Sequence, residues 1–295
     1  MQPGGSSAGV LRSQAPGVLL STRTSFKIGG VAREFHIPTT IEELRGLLRA
    51  LHKRRVELFI LGGGANTLFP DGEYQRPVVS TEKLRGLTID GHRVRAECGV
   101  PLNVLINTAI RAGLAGLEGF VGIPGTAGGA VRMNAGGAGW SFGDRVLELG
   151  LLPLDGGPLE VVPGKDVAWG YRTCGINGFV VAHAVFDLTR ETPAPIRERS
   201  VAFMKRKAAT QPLRLPSAGC IFRNPEGSSA GKCIEQLGLK GLSRGGARVS
   251  ERHANFIVNA TGRARASDVL YLVEEVRSRV ERELGVRLET EIVLA

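Results

Sequence analysis

Two dense clusters of glycine constrain this chain more than any other feature. One is Gly62-Gly63-Gly64-Ala65-Asn66-Thr67; the other runs from Gly119 to Gly139, with Gly at 119, 122, 125, 128, 129, 136, 137 and 139. Glycine accepts left-handed backbone and lets a second backbone or a ligand come close. The first cluster follows the apolar run Val56–Leu61, so it reads as a strand entering a glycine loop. It is not a dinucleotide fingerprint of the G-x-G-x-x-G kind, because the third glycine would fall at Thr67. The second cluster is too rich and too irregular in glycine for a helix. Successive N–H groups in such turns point into a shared concavity and bind phosphate oxygens without side-chain charge. Two loops about 60 residues apart suit a dinucleotide pyrophosphate, with Asn66, Thr67, Thr126 and Asn134 as neutral donors. For either loop alone, a purely structural turn is the competing reading. A Walker A loop at Gly231-Lys232 fails, since Cys233 follows and position 226 is Glu.

A chain of 295 residues has room for two or three modest domains. Met1 to Val18 is rich in Gly, Ser, Pro and Ala and lacks an apolar signal-peptide core, so 1–19 reads as a frayed tail. Thr40-Ile41-Glu42-Glu43 is a capping box opening an amphipathic helix with Leu44, Leu47, Leu48 and Leu51 on one face. Pro101 suits the first turn of a helix over 101–112, stopped by Gly113. Strands are expected at 146–154, 158–162 and 178–190. Thr192-Pro193-Ala194-Pro195 reads as a linker. Beyond it lie a helix near 196–207, a strand at Cys220, a helix from Ala230 and a strand at 254–260. A long helix at 268–284, with the stripe Val269, Val273, Val276, Val280 and Leu284, stops at Gly285 before a last strand at 286–294. Strands and helices mix without βαβ regularity, so the class is α+β.

The formal net charge of +10 brings nucleic acid into question. The basic residues alternate with acids along helices instead of forming an arm, and aromatic residues are only 5% of the chain. A solvated surface and anionic small ligands are therefore the stronger readings. No apolar run approaches the roughly 18 residues of a membrane helix. Cys98, Cys174, Cys220 and Cys233 show no CxxC spacing, and the five His are scattered, which argues for reduced thiols, a cytoplasmic setting and no metal.

Ser217-Ala218-Gly219-Cys220-Ile221-Phe222-Arg223-Asn224-Pro225 is the most informative segment for chemistry. A partly exposed thiol flanked by Arg214 and Arg223 is primed for proton donation or nucleophilic work. Taken alone, small residues around a Cys more often mean a packed strand.

The segments Thr24-Ser25-Phe26-Lys27-Ile28-Gly29-Gly30, the 61–67 loop, Gly122-Ile123-Pro124-Gly125-Thr126-Ala127-Gly128-Gly129 and Met133-Asn134-Ala135-Gly136-Gly137 follow one another in order. So do Gly170-Tyr171-Arg172, the Cys220 segment, His253-Ala254-Asn255-Phe256-Ile257-Val258-Asn259 and the closing Glu291. Together they resemble the UDP-N-acetylenolpyruvoylglucosamine reductase family from residue 20 to the end. The resemblance implies a vanillyl-alcohol-oxidase (PCMH-type) FAD fold of two subdomains, 20–76 and 77–191, with a C-terminal α+β substrate domain at 196–295. It implies that FAD lies on Gly62, Gly63, Gly64, Ala65, Asn66, Thr67, Pro124, Gly125, Thr126, Gly128, Gly129, Asn134 and Gly136. No His or Cys lies within either loop, which implies noncovalent flavin.

By the same resemblance NADPH is the co-substrate, and a UDP-sugar enol ether bearing a carboxylate is reduced for peptidoglycan synthesis. Arg172 matches the family's carboxylate-binding Arg, Glu291 its terminal Glu, and Cys220 the position of its proton-donating Ser. A thiol of pKa about 8.5 is a stronger acid than a hydroxyl, so the exchange is permissive. Tyr171, Arg223, Asn224 and Asn255 are the implied substrate contacts. The short connection near 190–200 and the few tyrosines place the chain with the family's compact subtype, and a monomer without nucleic-acid or membrane partners is expected. Another FAD oxidase or dehydrogenase on this fold, and a basic nucleotide-binding protein, are the competing functions.

Overall fold

The computed structural model describes residues 17–137 and 139–295. The expected tail therefore lies largely outside the described residues, but Val18–Leu19 pair antiparallel with Val31–Ala32. Six α-helices and seven small sheets make an α+β architecture among the described residues.

The largest sheet has five antiparallel strands in the order Glu160–Pro163, Val146–Pro153, Phe179–Asp187, Arg93–Glu97, Leu87–Asp90. Its central strand buries every residue from Val180 to Phe186, which explains its continuous apolar run. A three-stranded parallel sheet is formed by Phe35–His36, Val78–Ser80 and Phe59–Leu61. Helix α1, Ile41–Lys53, lies between the two, because its leucine face shares one core with Val79 on one side and Leu152, Val180 and Ala182 on the other. Thr40 caps α1 by accepting from Glu43 N at 3.1 Å. The reciprocal bond of a capping box goes instead to Thr39, whose N and Oγ1 donate to Glu43 Oε2 at 2.6 and 2.7 Å.

Helix α2, Leu102–Arg111, starts one residue after Pro101 and ends before Gly113, at φ +68°. Contrary to expectation, the glycine-rich segment contains a helix, α3, Ala127–Arg132. Propensity disfavours it, with Gly costing about 1 kcal/mol against Ala. Close packing overrides that: a Cβ on Gly128 would stand 2.6 Å from Cys98 Cβ, so only glycine lets α3 lie on that strand end.

The supposed linker is also helical. Thr192 is the N-cap and Pro193 the first residue of α4, Pro193–Thr210. A proline there loses no hydrogen bond, so a Pro-x-Pro run that punctuates a chain elsewhere begins a helix here. Helix α4 is tied to the preceding part of the chain through Ile196, buried in one core with Leu105, Phe120 and Phe142, and through Arg199, whose Nε and Nη2 donate to Glu118 Oε1 at 2.9 and 2.8 Å.

The C-terminal part is a four-stranded antiparallel sheet in the order Ser217–Cys220, Phe256–Asn259, Ala247–Val249, Ser243–Arg244. Helix α5, Ala230–Gln236, and helix α6, Ala266–Leu284, complete it. The α6 stripe buries Val269, Val273, Val276 and Val280, each worth roughly 1.5–3 kcal/mol. Asp71, from the N-terminal part of the chain, accepts from Ala266 N, Ser267 N and Ser267 Oγ, so one part of the protein caps a helix of the other.

The last expected strand shrinks to Val293–Leu294, paired in parallel with Thr67–Leu68. The residues before it do not form a ladder because they serve two masters. Arg223 N donates to Glu289 O and Glu291 N to Ile221 O, both at 2.8 Å, and Val293 N then donates to Asn66 O at 2.8 Å. The chain end is thus sewn first to the Cys220 segment and then to the first glycine loop.

Candidate active site

A cleft of about 1580 Å³ opens between the two glycine loops, α4 and the Cys220 segment. That exceeds the roughly 300–1,000 Å³ of a pocket for one drug-sized ligand. Gly62, Gly63, Gly64, Ala65, Asn66 and Thr67 all line it, as do Pro124, Gly125, Thr126, Gly129 and Gly136. The loops meet backbone to backbone: a Cβ on Gly63 would lie 2.7 Å from Gly125 Cα. Among the described residues no backbone carbonyl accepts from the N–H groups of Gly62 through Asn66. A row of unpaired donors on a glycine floor is what a pyrophosphate requires, so the residues fit the expected flavin.

The second loop is divided in its duties. Ala127 N and Gly128 N are spent on Val100 O and Cys98 O, at 2.8 and 2.9 Å. Gly128 accordingly faces Cys98 and does not line the cleft, whereas Gly129 does. Asn134 does not line it either; its amide bonds Gly170 O, Ser141 Oγ and Gly143 N.

Nine Arg and Lys side chains line the cleft against two Glu. Much of the chain's positive charge, dispersed along the sequence, converges here, which favours anionic ligands over a solvated basic surface. Lys207 illustrates the crowding: burial lowers its pKa to about 8, and its Nζ donates to Val121 O at 2.6 Å.

The three residues expected to do chemistry all line the cleft. Arg172 occupies a tight turn closed by Gly170 and Thr173, and its own backbone is left-handed at φ +58°. Such a conformation is disfavoured for a side chain of this size and is retained where the surroundings enforce it. Its Nε donates to Glu291 Oε1 at 2.8 Å. Burial raises the pKa of Glu291, with Arg172 and Arg223 opposing. Cys220 is half-buried at the end of its strand.

The thiol differs from the sequence expectation in one respect. Burial, then the charge of Glu291, pushes its pKa up to about 12 against the pull of Arg172. Neither the burial nor the neighbouring carboxylate is revealed by a local reading of the Cys220 segment, and together they outweigh the one guanidinium that acts on the thiol, that of Arg172. Cys220 is held as a neutral thiol.

The four implied substrate contacts are placed unequally. Arg223 lines the cleft, and its buried Nε meets no partner among the described residues. Tyr171 is exposed, and its hydroxyl accepts from Asn224 N at 3.4 Å. Oδ1 of the Asn224 side chain accepts from Ala230 N at 3.1 Å. Asn255 is buried, with both ends of its amide on the backbone of Phe222. Sequence reasoning missed Phe203 and Lys207, which line the cleft from α4 one helical turn apart; that spacing was the available signal. Among the described residues no group of three His, Cys, Asp or Glu comes together as a metal site would require.

Residues 211–295 match the family model for the C-terminal domain of UDP-N-acetylenolpyruvoylglucosamine reductase, and residues 32–161 match that of an FAD binding domain. The UDP-N-acetylenolpyruvoylglucosamine reductase of Moorella thermoacetica is 41% identical over 275 residues, covering 92% of this chain and 90% of that protein. Its counterpart from Clostridium novyi is 39% identical over 277 residues, covering 93% and 90%. The crystal structure of UDP-N-acetylenolpyruvylglucosamine reductase from Thermus caldophilus aligns with a TM-score of 0.83 at 35% identity, covering 96% of this chain and 99% of that one.

Proposed function

The chain belongs to the UDP-N-acetylenolpyruvoylglucosamine reductase family, and we propose that NADPH is its reductant and that Arg172, Glu291 and Cys220 carry the chemistry on the enolpyruvyl group. The reaction reduces the enolpyruvyl ether of a UDP-N-acetylglucosamine in peptidoglycan precursor synthesis. When bound, FAD takes hydride equivalents from the reductant and supplies hydride to the substrate.

Hydride addition at one vinyl carbon leaves an electron pair on the other, delocalised into the substrate carboxylate. Arg172 offers that carboxylate a charge which persists at any relevant pH. Glu291, kept towards its protonated form by burial, can donate a hydrogen bond to the developing enolate oxygen. Cys220 delivers the proton: its S–H bond breaks as the new C–H bond forms, and the thiolate regains a proton from solvent. A raised thiol pKa keeps that proton in place until the electron pair appears. The glycine loops and the cationic lining bind and orient the anionic partners, with Gly129 rather than Gly128 presenting open backbone to them. Gly63 and Gly125 lie close enough to share one phosphate, and the flavin is held noncovalently. Arg223 is placed to bind substrate, and the reading is of a cytoplasmic monomer with no nucleic-acid or membrane partner; no described helix is long and apolar enough to cross a membrane.

The observation that carries these roles is the convergence of Arg172, Glu291 and Cys220 on the lining of the cleft formed by both glycine loops. NADPH oxidation by the purified yellow protein, dependent on UDP-N-acetylglucosamine-enolpyruvate, is the expected result. Flavin reduction by NADPH with no reoxidation by that substrate overturns it.

A further inference from the structure

We propose that Asn134 is a positioning residue that locks the Arg172 turn onto the flavin loop. The inference rests on the role assigned above to Arg172. Asn134 comes just after Met133, the C-cap of α3, and its neighbours Met133 and Ala135 line the cleft while Asn134 turns away. Its backbone is left-handed at φ +38°, a conformation that Asn tolerates better than most residues. The side chain is only 8% exposed, and both ends of its amide are bonded within the protein. Nδ2 donates to Gly170 O at 2.9 Å, while Oδ1 accepts from Ser141 Oγ and from Gly143 N, both at 2.9 Å.

Gly170 is the first residue of the Arg172 turn, and its carbonyl also accepts from Thr173 N at 3.3 Å. The same short stretch of chain thus presents the flavin loop through its backbone and grips the Arg172 turn through one amide. Trp169 packs onto Gly143 so tightly that a Cβ there would lie 2.4 Å from the indole, which leaves the turn little freedom on that side. The consequence is a fixed offset between the glycine floor and the Arg172 guanidinium. Reacting groups lose about 10²-fold for a misplacement near 1 Å, so this offset is worth controlling.

Asn134→Asp isolates the bond in question. It keeps the acceptor for Ser141 and Gly143 and tolerates the same backbone, but it replaces the donor to Gly170 with an oxygen facing a carbonyl. The variant should keep its FAD. Flavin reoxidation by the enolpyruvyl substrate should fall about 10–10²-fold, in kcat rather than KM, with flavin reduction by NADPH affected far less. In an Arg172→Ala background the same change should add nothing, since coupled residues are non-additive. Should Asn134→Asp not fold, Asn134→Gly accepts the positive φ and serves in the same cycle. Loss of flavin, equal loss in both half-reactions, no loss at all, or full additivity with Arg172→Ala each overturns the proposal. Arg172→Ala at the wild-type rate is a different result: it removes the assigned role of Arg172, and the proposal with it.

Discussion

Arg172 Nε lies 2.8 Å from Glu291 Oε1 although 119 positions separate them in the chain. The pair is partly shielded, with side-chain exposures of 20% and 11%, so water does not dissolve the interaction as it does most surface ion pairs. It joins a left-handed turn of the flavin side to the segment that closes the C-terminal part. The pair therefore forms only when both halves of the molecule are docked.

Removing either member should cripple one half-reaction only. Loss of one preorganised donor commonly lowers turnover about 10²–10³-fold. Arg172→Ala and Glu291→Gln should show that loss in stopped-flow reoxidation of the flavin by substrate, with flavin reduction by NADPH nearly unchanged. Equal damage to both steps would point to a misplaced flavin and count against the assignment.

Cys220→Ala should slow reoxidation about 10²–10⁴-fold, the usual contribution of a positioned acid, and Cys220→Ser should recover much of it. A group with a raised pKa stays protonated below that pKa. With Cys220 pushed up to about 12, its protonated form persists through the whole working range, so no alkaline limb below about pH 10 should trace to this thiol. Alkylation in the free enzyme should be slow for the same reason: at pH 8 about 10⁻⁴ of such a thiol is thiolate, against about a quarter at pKa 8.5. Rapid alkylation of Cys220 at neutral pH would contradict its placement.

Adjacent glycines of α3 should respond in opposite ways. A methyl on Gly129 meets nothing closer than Thr126 Oγ1 at 3.5 Å and projects where the cleft is lined. Gly129→Ala should hold or raise Tm, as helix propensity favours Ala by about 1 kcal/mol, yet purify with little FAD. Gly128→Ala collides with Cys98 and should lose about 1–3 kcal/mol of stability from overpacking. Thermal melts and the flavin absorbance of the purified proteins separate the two; full flavin in a well-folded Gly129→Ala removes the loop assignment.

Asp71→Asn should loosen the docking of α6. Burial raises the pKa of Asp71, but the bonds from Ala266 and Ser267 outweigh it and leave the pKa below the ordinary value. A carboxylate with a depressed folded pKa stabilises fully above its unfolded pKa of about 3.9 and loses that contribution as pH falls through the folded value. The substitution should lower stability by about 1 kcal/mol at pH 7, the scale of a lost helix cap, and the gap to wild type should narrow as pH drops below 4. Urea titrations across pH 7 to 3 measure it, and a gap that widens on acidification rules the assignment out.

Legibility in the sequence followed the range of the determining contacts. Helices α1, α2 and α6 carry their own apolar stripes and caps, so their existence was readable within a few residues of their ends. Helix α3 was not, because what requires Gly128 in a helix is the approach of Cys98, thirty positions away in the chain. The segment before Val293 looked like a strand, yet its bonds go singly to Ile221, Arg223 and Asn66. Arg172, Cys220 and Glu291 were found through the resemblance of their surrounding motifs; nothing local announces that they meet. The raised thiol pKa and the inward turn of Asn134 depend on partners from other segments, and these no local pattern encodes.

The concentration of nine cations and two carboxylates in one concavity has a kinetic side. A low-dielectric cleft focuses its field outward and draws polyanions in, accelerating capture by as much as 10–10³-fold at low ionic strength. Salt screens that pull over a Debye length of about 10 Å at 0.1 M. The reduced sugar nucleotide leaves with the same diphosphate and carboxylate with which it arrived, so the field that hastens arrival also retards departure. Raising the ionic strength should then lower kcat/KM while sparing or even lifting kcat, the mark of an enzyme whose entrance and exit are one door.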